Sequence, residues 1–365
     1  MSAALPADRY QAFQEAIDDI RRRAQAKVGD DDVRRVKRLM LLSRSAEVMG
    51  RVLIHFSIGP VGFLAGVGAL WLHKTLQATE IGHPALHGCY DGLEGAEAFH
   101  SKRFSWDTPI DEESWREVHN LRHHPYTNVS ERDPDMQFGP VRLTAETPWK
   151  WYHRFQLPYT LFTMWPAFTS GINLQFTGFA DLLSPNTPPH ILPDRSKASK
   201  RRAVRRLLRS FVPYYAKEYV LFPLLAGPMF WKVLLGNWMA ETLRDLWAAA
   251  CIFCGHLGDD VVAHPAGTKA GSRGRWYAMQ CESTHNFSCP APIDVLCGGL
   301  DLQIEHHLFP KLPPQRLREI APEVRAACEA HGVPYRTAPW SEVLWQSLRH
   351  LHALSKPDAQ PAMLG

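Results

Sequence analysis

Histidine occurs 18 times in this chain of 365 residues, and several histidines stand at spacings that let them bind one object together. His83 and His87 are four residues apart, and His119 and His123 repeat this spacing. On a helix, two residues at this spacing lie on one face about 5–6 Å apart, so both imidazoles can face the same point. These arrangements predict shared metal ligation rather than separate structural roles.

Further histidines extend the set. His124 directly follows the second pair, His306 and His307 are adjacent, and His256 directly follows an apolar stretch. His285 is a candidate for an extra ligand or for a hydrogen-bond donor beside one. We predict one set of eight metal ligands: His83, His87, His119, His123, His124, His256, His306 and His307.

The ligand set points to two metal ions but does not choose the element. Zinc normally takes four ligands, and in a catalytic site the protein provides three of them. Eight imidazoles are therefore too many for one ion but suit two. A zinc-protease helix places Glu beside its first His, whereas Pro84 follows His83 here. Imidazole binds iron, copper, zinc and nickel alike.

Apolar blocks must position these histidines, and the first covers residues 48–72. A membrane span needs about 20 apolar residues, so the block allows one crossing or a hairpin of two short helices. We favour a hairpin over residues 46–82 that turns at Gly59 and Pro60. Arg51 is an awkward residue for either arrangement.

The second apolar block, residues 211–257, is interpreted as a second hairpin that turns near Gly236 and Asn237. Two crossings put the second and third histidine groups on one side of the membrane, whereas one crossing would separate them. The basic run at residues 195–209 shares that side, which the positive-inside rule assigns to the cytoplasm. Three charged residues are expected to lie near the far interface or to pair at helical spacing: Glu241, Arg244 and Asp245.

The rest of the chain is predicted to form four further segments. Residues 1–45 are an amphipathic, helical cytosolic segment, residues 83–210 and 258–335 form a polar cap, and residues 336–365 are a tail. Within the cap, an aromatic stretch from Phe155 to Leu183 is interrupted by prolines, which favours a segment lying in the membrane interface.

Composition limits the class of protein. A net charge of +4 gives no indication of a nucleic-acid partner. The seven cysteines are spread along a long chain, which does not resemble a disulfide framework and indicates a reduced compartment. Cys251 and Cys254 form a CxxC inside an apolar run, where we expect them to pack as small hydrophobic residues.

Three short motifs together resemble the histidine boxes of the membrane-bound fatty acid desaturase family: "HPALH" at 83–87, "HNLRHH" at 119–124 and "QIEHH" at 303–307. The resemblance extends over about residues 45–335 and includes "DPDM" at 133–136. The pattern is most similar to bacterial acyl-CoA or acyl-lipid desaturases without a fused cytochrome b5, since the sequence contains no His-Pro-Gly-Gly haem motif.

The resemblance implies an all-α integral membrane protein with four transmembrane helices in two hairpins. A cytosolic helical cap, on the cytoplasmic face of a bacterial inner membrane, would hold two iron ions. The eight histidines match the family's ligand positions. Gln303 stands where other members have a ninth histidine, so it is a candidate ligand through its side-chain oxygen, or a residue that orients a ligand.

The implied function is an O2-dependent fatty acyl desaturase that acts on an acyl lipid or an acyl-CoA, which would thread a bent apolar tunnel. A ferredoxin or flavodoxin-type reductase would supply electrons. Carboxylates near the ligands should fix the histidine tautomers. The candidates for this role are Asp91, Asp133, Asp135, Asp301 and Glu305.

Two other functions are considered. A lipid or carotenoid hydroxylase of the same superfamily would share the histidine boxes and form an alcohol. A membrane metal transporter or sensor would place histidines within spans, whereas here the boxes fall just outside the apolar blocks. Basic residues at 102–106 and 195–209 are interpreted as solvated faces or as docking sites for an acidic headgroup or electron donor.

Overall fold

The computed structural model describes residues 6–184, 189–258 and 260–357. Its regular structure is almost all helical, which confirms the predicted helical class. The described residues form fifteen α-helices: α1 (Ala7–Gln25), α2 (Asp30–Phe56), α3 (Pro60–Leu76), α4 (His83–His87), α5 (Glu112–Trp115), α6 (Gln156–Tyr159), α7 (Phe168–Phe176), α8 (Phe179–Leu183), α9 (Lys197–Ala216), α10 (Phe222–Leu225), α11 (Phe230–His256), α12 (Arg273–Glu282), α13 (Gln303–Leu308), α14 (Pro314–His331) and α15 (Trp340–Leu354).

Shorter helical turns and one small sheet complete the described structure. Strands β1 (Asn286–Ser288) and β2 (Thr337–Pro339) pair in parallel. Segments Gln77–Gly82 and Arg116–His123 are π-helical. The aromatic stretch from 155 to 183 is divided into short helical pieces, including α6, α7 and α8, as its prolines predict.

The first hairpin turns where the sequence predicts. Helix α2 ends at Phe56 and α3 begins at Pro60, which occupies the first helical position. The two helices cross closely because a Cβ added to Gly50 would lie 2.7 Å from a backbone nitrogen of α3, and one added to Gly66 would lie 2.8 Å from a backbone nitrogen of α2.

The turn predicted near Gly236 and Asn237 is wrong, because α11 runs through both residues without a break. The chain instead turns at Gly227, whose φ is 53°. Gly236 and Asn237 instead make contacts between α11 and neighbouring segments. A Cβ at Gly236 would lie 2.9 Å from Ile54, and the Asn237 amide donates a hydrogen bond to the Glu218 carbonyl oxygen at 2.6 Å.

None of the described helices combines the length and the apolar character that a membrane crossing requires. Several charged residues of the apolar blocks form ion pairs. Arg244 lies 3.5 Å from Glu241, three residues earlier, and 2.8 Å from Asp245, while Arg51 lies 2.6 Å from Glu218. The expected pairing at helical spacing is therefore confirmed for Arg244.

The first and last described helices, α1 and α15, both pack against other helices. Phe13 and Ile17 of α1 share a buried cluster with Ile304 of α13 and Val324 of α14. Helix α15 buries Leu351 among residues of α11 and of the aromatic stretch. Cys251 and Cys254 are fully buried as free thiols, as expected for packing residues. The proposed segment boundaries remain predictions, and α2 runs through the one at 45/46.

Candidate metal centre

All eight predicted histidines meet in one cluster between the ends of four segments: α4, the residues around Arg116–His123, the last turn of α11 and α13. The ring centroids of His83 and His306 are 4.7 Å apart, and those of His124 and His307 are 4.4 Å apart. His124 lies between two sets of mutually close ligand atoms, a first group of His83, His87, His119 and His306 and a second group of His123, His256 and His307.

Local helix geometry brings together the histidines within each of the first two boxes. In α4 the i, i+4 spacing brings the Nε2 atoms of His83 and His87 to 3.1 Å. In the π-helical segment the backbone N–H of His124 donates to the carbonyl of His119, five residues earlier. The wider turn brings the Nε2 atoms of His119 and His124 to 3.2 Å.

Two glycines position the third box. Gly298 and Gly299 have φ values of 64° and 81°, which residues with a Cβ rarely adopt, and they turn the chain ahead of α13. A Cβ at Gly298 would lie 2.5 Å from the carbonyl carbon of Thr79. Glycine therefore lets this turn press against the π-helical segment that leads into α4.

Asp133 fixes the orientation of His123. Its carboxylate oxygens lie 2.9 and 3.1 Å from the His123 Nδ1. Backbone N–H groups of Asn128 and Asp135 donate to the same carboxylate at 2.7 and 2.9 Å, and so hold it in place. Although burial opposes the charged imidazole, the carboxylates of Asp133 and Asp135 raise the pKa of His123 to about 9.

His307 is oriented by neutral groups that the sequence gave no reason to select. Its Nδ1 lies 3.0 Å from the Thr127 hydroxyl and 3.2 Å from the Gln280 side-chain oxygen. Thr127 also donates to that oxygen at 2.9 Å. The only sequence signal was the position of Thr127, four residues after His123.

Burial sets the protonation of the remaining cluster. Burial lowers the pKa of the seven imidazoles other than His123 well below the usual value, and neighbouring histidines lower it further. A neutral imidazole is the form that binds a metal ion. The pKa is lowered in this way for His83, His87, His119, His124, His256, His306 and His307.

Several ring nitrogens of the cluster and one amide oxygen are buried without a hydrogen-bond partner among the described residues. An unpaired buried polar atom costs about 1–3 kcal/mol, so native structures contain few. Here they belong to side chains of one cluster, as expected of a site that binds metal ions. They are His123 Nε2, His124 Nδ1, His256 Nδ1, His306 Nε2, His307 Nε2 and Gln303 Oε1.

Gln303 lies within the cluster, as its place in the third box predicted. The side chain is buried and lines the same cavity as His256 and His306. It packs directly on α11, since a Cβ added to Gly255 would lie 2.4 Å from the Gln303 Cγ. Its orphaned oxygen suits a metal ligand, and its contact with α11 suits an orienting role.

Of the five candidate carboxylates, only Asp133 and Asp135 lie beside cluster histidines. Glu305 accepts hydrogen bonds from Asn286 and from the Tyr335 hydroxyl, both at 2.8 Å. Asp91 accepts from Ser101 at 2.7 Å. These two carboxylates therefore stabilise the surrounding loops.

The fifth candidate carboxylate, Asp301, and the candidate ligand His285 also have partners outside the cluster. Asp301 lies 3.4 Å from the Arg318 guanidinium. His285 has its Nδ1 2.7 Å from the carbonyl oxygen of Asn286, and it belongs to neither histidine group. Trp115, for which the sequence gave no functional signal, stacks on His119 with ring centroids 4.4 Å apart and packs against α4.

A cavity opens onto the cluster. Its space amounts to about 1110 Å³, including the part open to solvent. One wall carries imidazoles of both groups, and the rest is mostly apolar, so the cavity suits a hydrocarbon chain. The lining side chains away from the histidines include Trp106, Ile110, Phe138, Phe168, Ile172, Phe176, Ala248, Ile252 and Phe253.

Known proteins are similar to this chain over the segments that form the cluster. A family model described as "Fatty acid desaturase" matches residues 31–339. A NADPH-dependent stearoyl-CoA 9-desaturase of Mycobacterium tuberculosis is 31% identical over 348 residues, which cover 94% of this chain and 79% of the relative. An acyl-lipid (9-3)-desaturase of Borago officinalis is 27% identical over 330 residues, which cover 82% of this chain and 64% of the relative.

Proposed function

Because the chain belongs to the fatty acid desaturase family, and is therefore an oxidoreductase that desaturates acyl chains, we propose that its histidine cluster holds two iron ions. We further propose that the cavity holds the acyl chain with a methylene pair beside that cluster. O2 is the proposed co-substrate.

One observation carries the assignment of the metal site. Imidazole nitrogens from chain segments more than 200 residues apart, such as His87 and His307, are buried in one cluster, and several lack any other partner among the described residues. Imidazole suits iron as well as other metals, and membership of the family favours iron. Eight imidazoles suit two ions, with room for an exogenous ligand.

When bound, iron supplies the activation of O2 that oxidation of an unactivated C–H bond requires, which no side chain provides. The protein supplies position. Asp133 accepts from the Nδ1 of His123 and directs its Nε2 inward, and Thr127 and Gln280 do the same for His307. Because the Nδ1 of His123 faces Asp133, its Nε2 is the atom that would be left to bind a metal ion.

The cavity walls would hold the substrate and exclude water. Phe138, Phe168 and Phe253 pack against one another, with ring centroids 5.3 to 6.2 Å apart, and line the cavity beside the cluster. An acyl chain held among these rings would leave its polar carrier outside the cavity. The rings would shield the reacting carbons from water. The mycobacterial relative is named for stearoyl-CoA, which supports an acyl-CoA carrier, and the borage relative supports an acyl lipid.

We propose that both hairpins are embedded in the membrane, as four transmembrane segments, with the cap and cluster on the cytoplasmic side. Large apolar side chains at the far end of the first hairpin are exposed, among them Phe56, Ile58 and Val61, at 78%, 106% and 81%. Such patches are typical of surfaces that contact lipid. Electrons would arrive from a ferredoxin or flavodoxin-type reductase, and the NADPH in the mycobacterial relative's name agrees with a reductase.

Fatty acid analysis of a bacterial host tests the proposal. We expect expression to produce a new double bond, detected by gas chromatography and mass spectrometry after derivatisation of the alkene. His307→Ala should abolish the product, because it removes a ligand of the second group. His352→Ala is the matched control, since His352 is exposed and lies outside the cluster.

The product also separates desaturation from hydroxylation. A hydroxy fatty acid without an alkene would contradict desaturation while leaving the metal site in place. A double bond that persists in the His307→Ala variant would contradict the proposed role of the cluster.

A further inference from the structure

Helix α9 has two opposite faces of different chemistry. One face is buried and anchored: Leu207 and Tyr214 pack inward, and Arg206 lies 2.7 Å from Glu113 and 2.6 Å from Glu117. These contacts fix the rotation of the helix. The opposite face is therefore presented in a defined orientation.

The opposite face combines cations with apolar side chains. At about 100° per residue, its six side chains fall within a sector of roughly 100°. None of its cations has a hydrogen bond or ion pair to an acidic side chain in the part of the chain that the structure describes. This basic face consists of Lys197, Arg201, Val204, Arg205, Leu208 and Val212, all of them exposed.

We propose that the basic face of α9 binds anionic phospholipid headgroups of the membrane that holds the enzyme. Its three cations would contact lipid phosphates, and Val204, Leu208 and Val212 would reach the boundary of the acyl chains. This inference rests on the membrane location proposed above.

Two observations favour lipid over an acidic protein. Apolar and basic side chains share one stripe, as in helices that lie at a membrane interface. In addition, the apolar character continues along the chain beyond α9, where Val220, Leu221, Leu224 and Leu225 are 51–68% exposed. A bilayer offers phosphates and hydrocarbon side by side, in the same order as the cations and apolar residues of this segment.

Lipid counting by native mass spectrometry tests the proposal. The full-length protein is equilibrated with equal amounts of phosphatidylglycerol and phosphatidylcholine, and the retained lipids are counted. Wild type should retain mainly phosphatidylglycerol. In the variant Lys197→Gln/Arg201→Gln/Arg205→Gln, the ratio of retained phosphatidylglycerol to phosphatidylcholine should fall about fivefold or more. Each basic side chain near an anionic surface contributes up to about this factor.

A matched variant controls for net charge. Arg9→Gln/Lys27→Gln/Lys269→Gln removes three exposed cations elsewhere and should keep the wild-type preference. Equal lipid preference in wild type and both variants would overturn the proposal. So would a result in which the α9 variant keeps its lipids but loses binding of an acidic ferredoxin, which would assign the face to the electron donor.

Double-bond formation by the same preparations separates this inference from the proposed function. If wild type forms no double bond, the proposed function fails, whereas the lipid count still reports on α9. If wild type desaturates lipid and α9 shows no lipid preference, only the inference about α9 fails.

Discussion

At the scale of single residues, the cluster shows two ways of orienting a histidine. His123 has a charged partner in Asp133, whereas His307 has neutral partners in Thr127 and Gln280. The sequence identified the imidazoles by their spacing, and it placed Asp133 among five candidate carboxylates. It could not single out Thr127 or Gln280, because Gln280 lies 27 residues from His307 and common polar residues carry no signal of their own.

Replacing Asp133 with asparagine tests the charged partner. Asp133→Asn removes the carboxylate that orients His123, so we expect iron affinity to fall by about 10–100-fold. Iron retained after dialysis against a graded series of chelator concentrations measures this. Asp91→Asn should leave iron affinity near wild type, because the Asp91 carboxylate accepts a hydrogen bond from Ser101 and not from a histidine of the cluster. Equal iron loss in both variants would contradict the role of Asp133.

Gly255 offers a test of Gln303 that leaves every proposed ligand in the sequence. In Gly255→Ala the new Cβ would meet the Gln303 Cγ at 2.4 Å, so that side chain must move. We expect turnover to fall by about 10–100-fold, since small displacements in an active site have large effects. Gly68→Ala, where a Cβ would meet nothing within 4 Å, should keep its activity. Full activity of Gly255→Ala would show that the position of Gln303 is unimportant.

At the scale of elements, the first hairpin could be predicted and the second could not. Gly59 and Pro60 break a helix by their own backbone preferences, so the turn there is local. Gly236 and Asn237 look similar in sequence but are needed for close contacts with Ile54 and Glu218, which are tertiary. The π-helical turn at Arg116–His123 was also beyond prediction, because its extra residue per turn has no compositional signature.

A second set of contacts between elements predicts a dependence of stability on pH. Asp107 lies 3.3 Å from the His73 Nε2 and 3.1 Å from Arg44. Although burial opposes ionisation, His73 and Lys217 hold the pKa of the Asp107 carboxyl well below its usual range. Because the folded pKa is depressed, this stabilisation is present above the unfolded value of about 4 and is lost as the pH falls.

Asp107→Asn should therefore lower the free energy of unfolding by about 1–3 kcal/mol at pH 7, because Lys217 and Arg44 lose their anionic partner. The difference from wild type should shrink below about pH 4. Thermal unfolding in detergent between pH 3 and pH 7 measures both effects. Asp31→Asn, at an exposed ion pair with Arg34, is the control. A constant difference across this pH range would contradict the account.

At the scale of the whole molecule, residues from four separate segments form one buried site beside one apolar cavity. Spacing within the boxes selected seven of the eight clustered histidines, and His256 was selected by its place after an apolar stretch. The family resemblance predicted that the boxes meet. The cavity walls include Phe138, Phe168 and Phe253, whose positions have no periodic signal that would distinguish a tunnel from a core. That part of the structure depends on how the aromatic stretch packs on α11, which composition does not specify.

Iron content per chain tests the central claim most directly. Purified, iron-loaded wild type should contain about two iron atoms per chain, with X-ray absorption showing nitrogen and oxygen ligands. His307→Ala should lose at least one of them, and His352→Ala should lose none. Wild-type iron content in the His307→Ala variant, or sulfur among the ligands, would contradict a site built from these eight histidines.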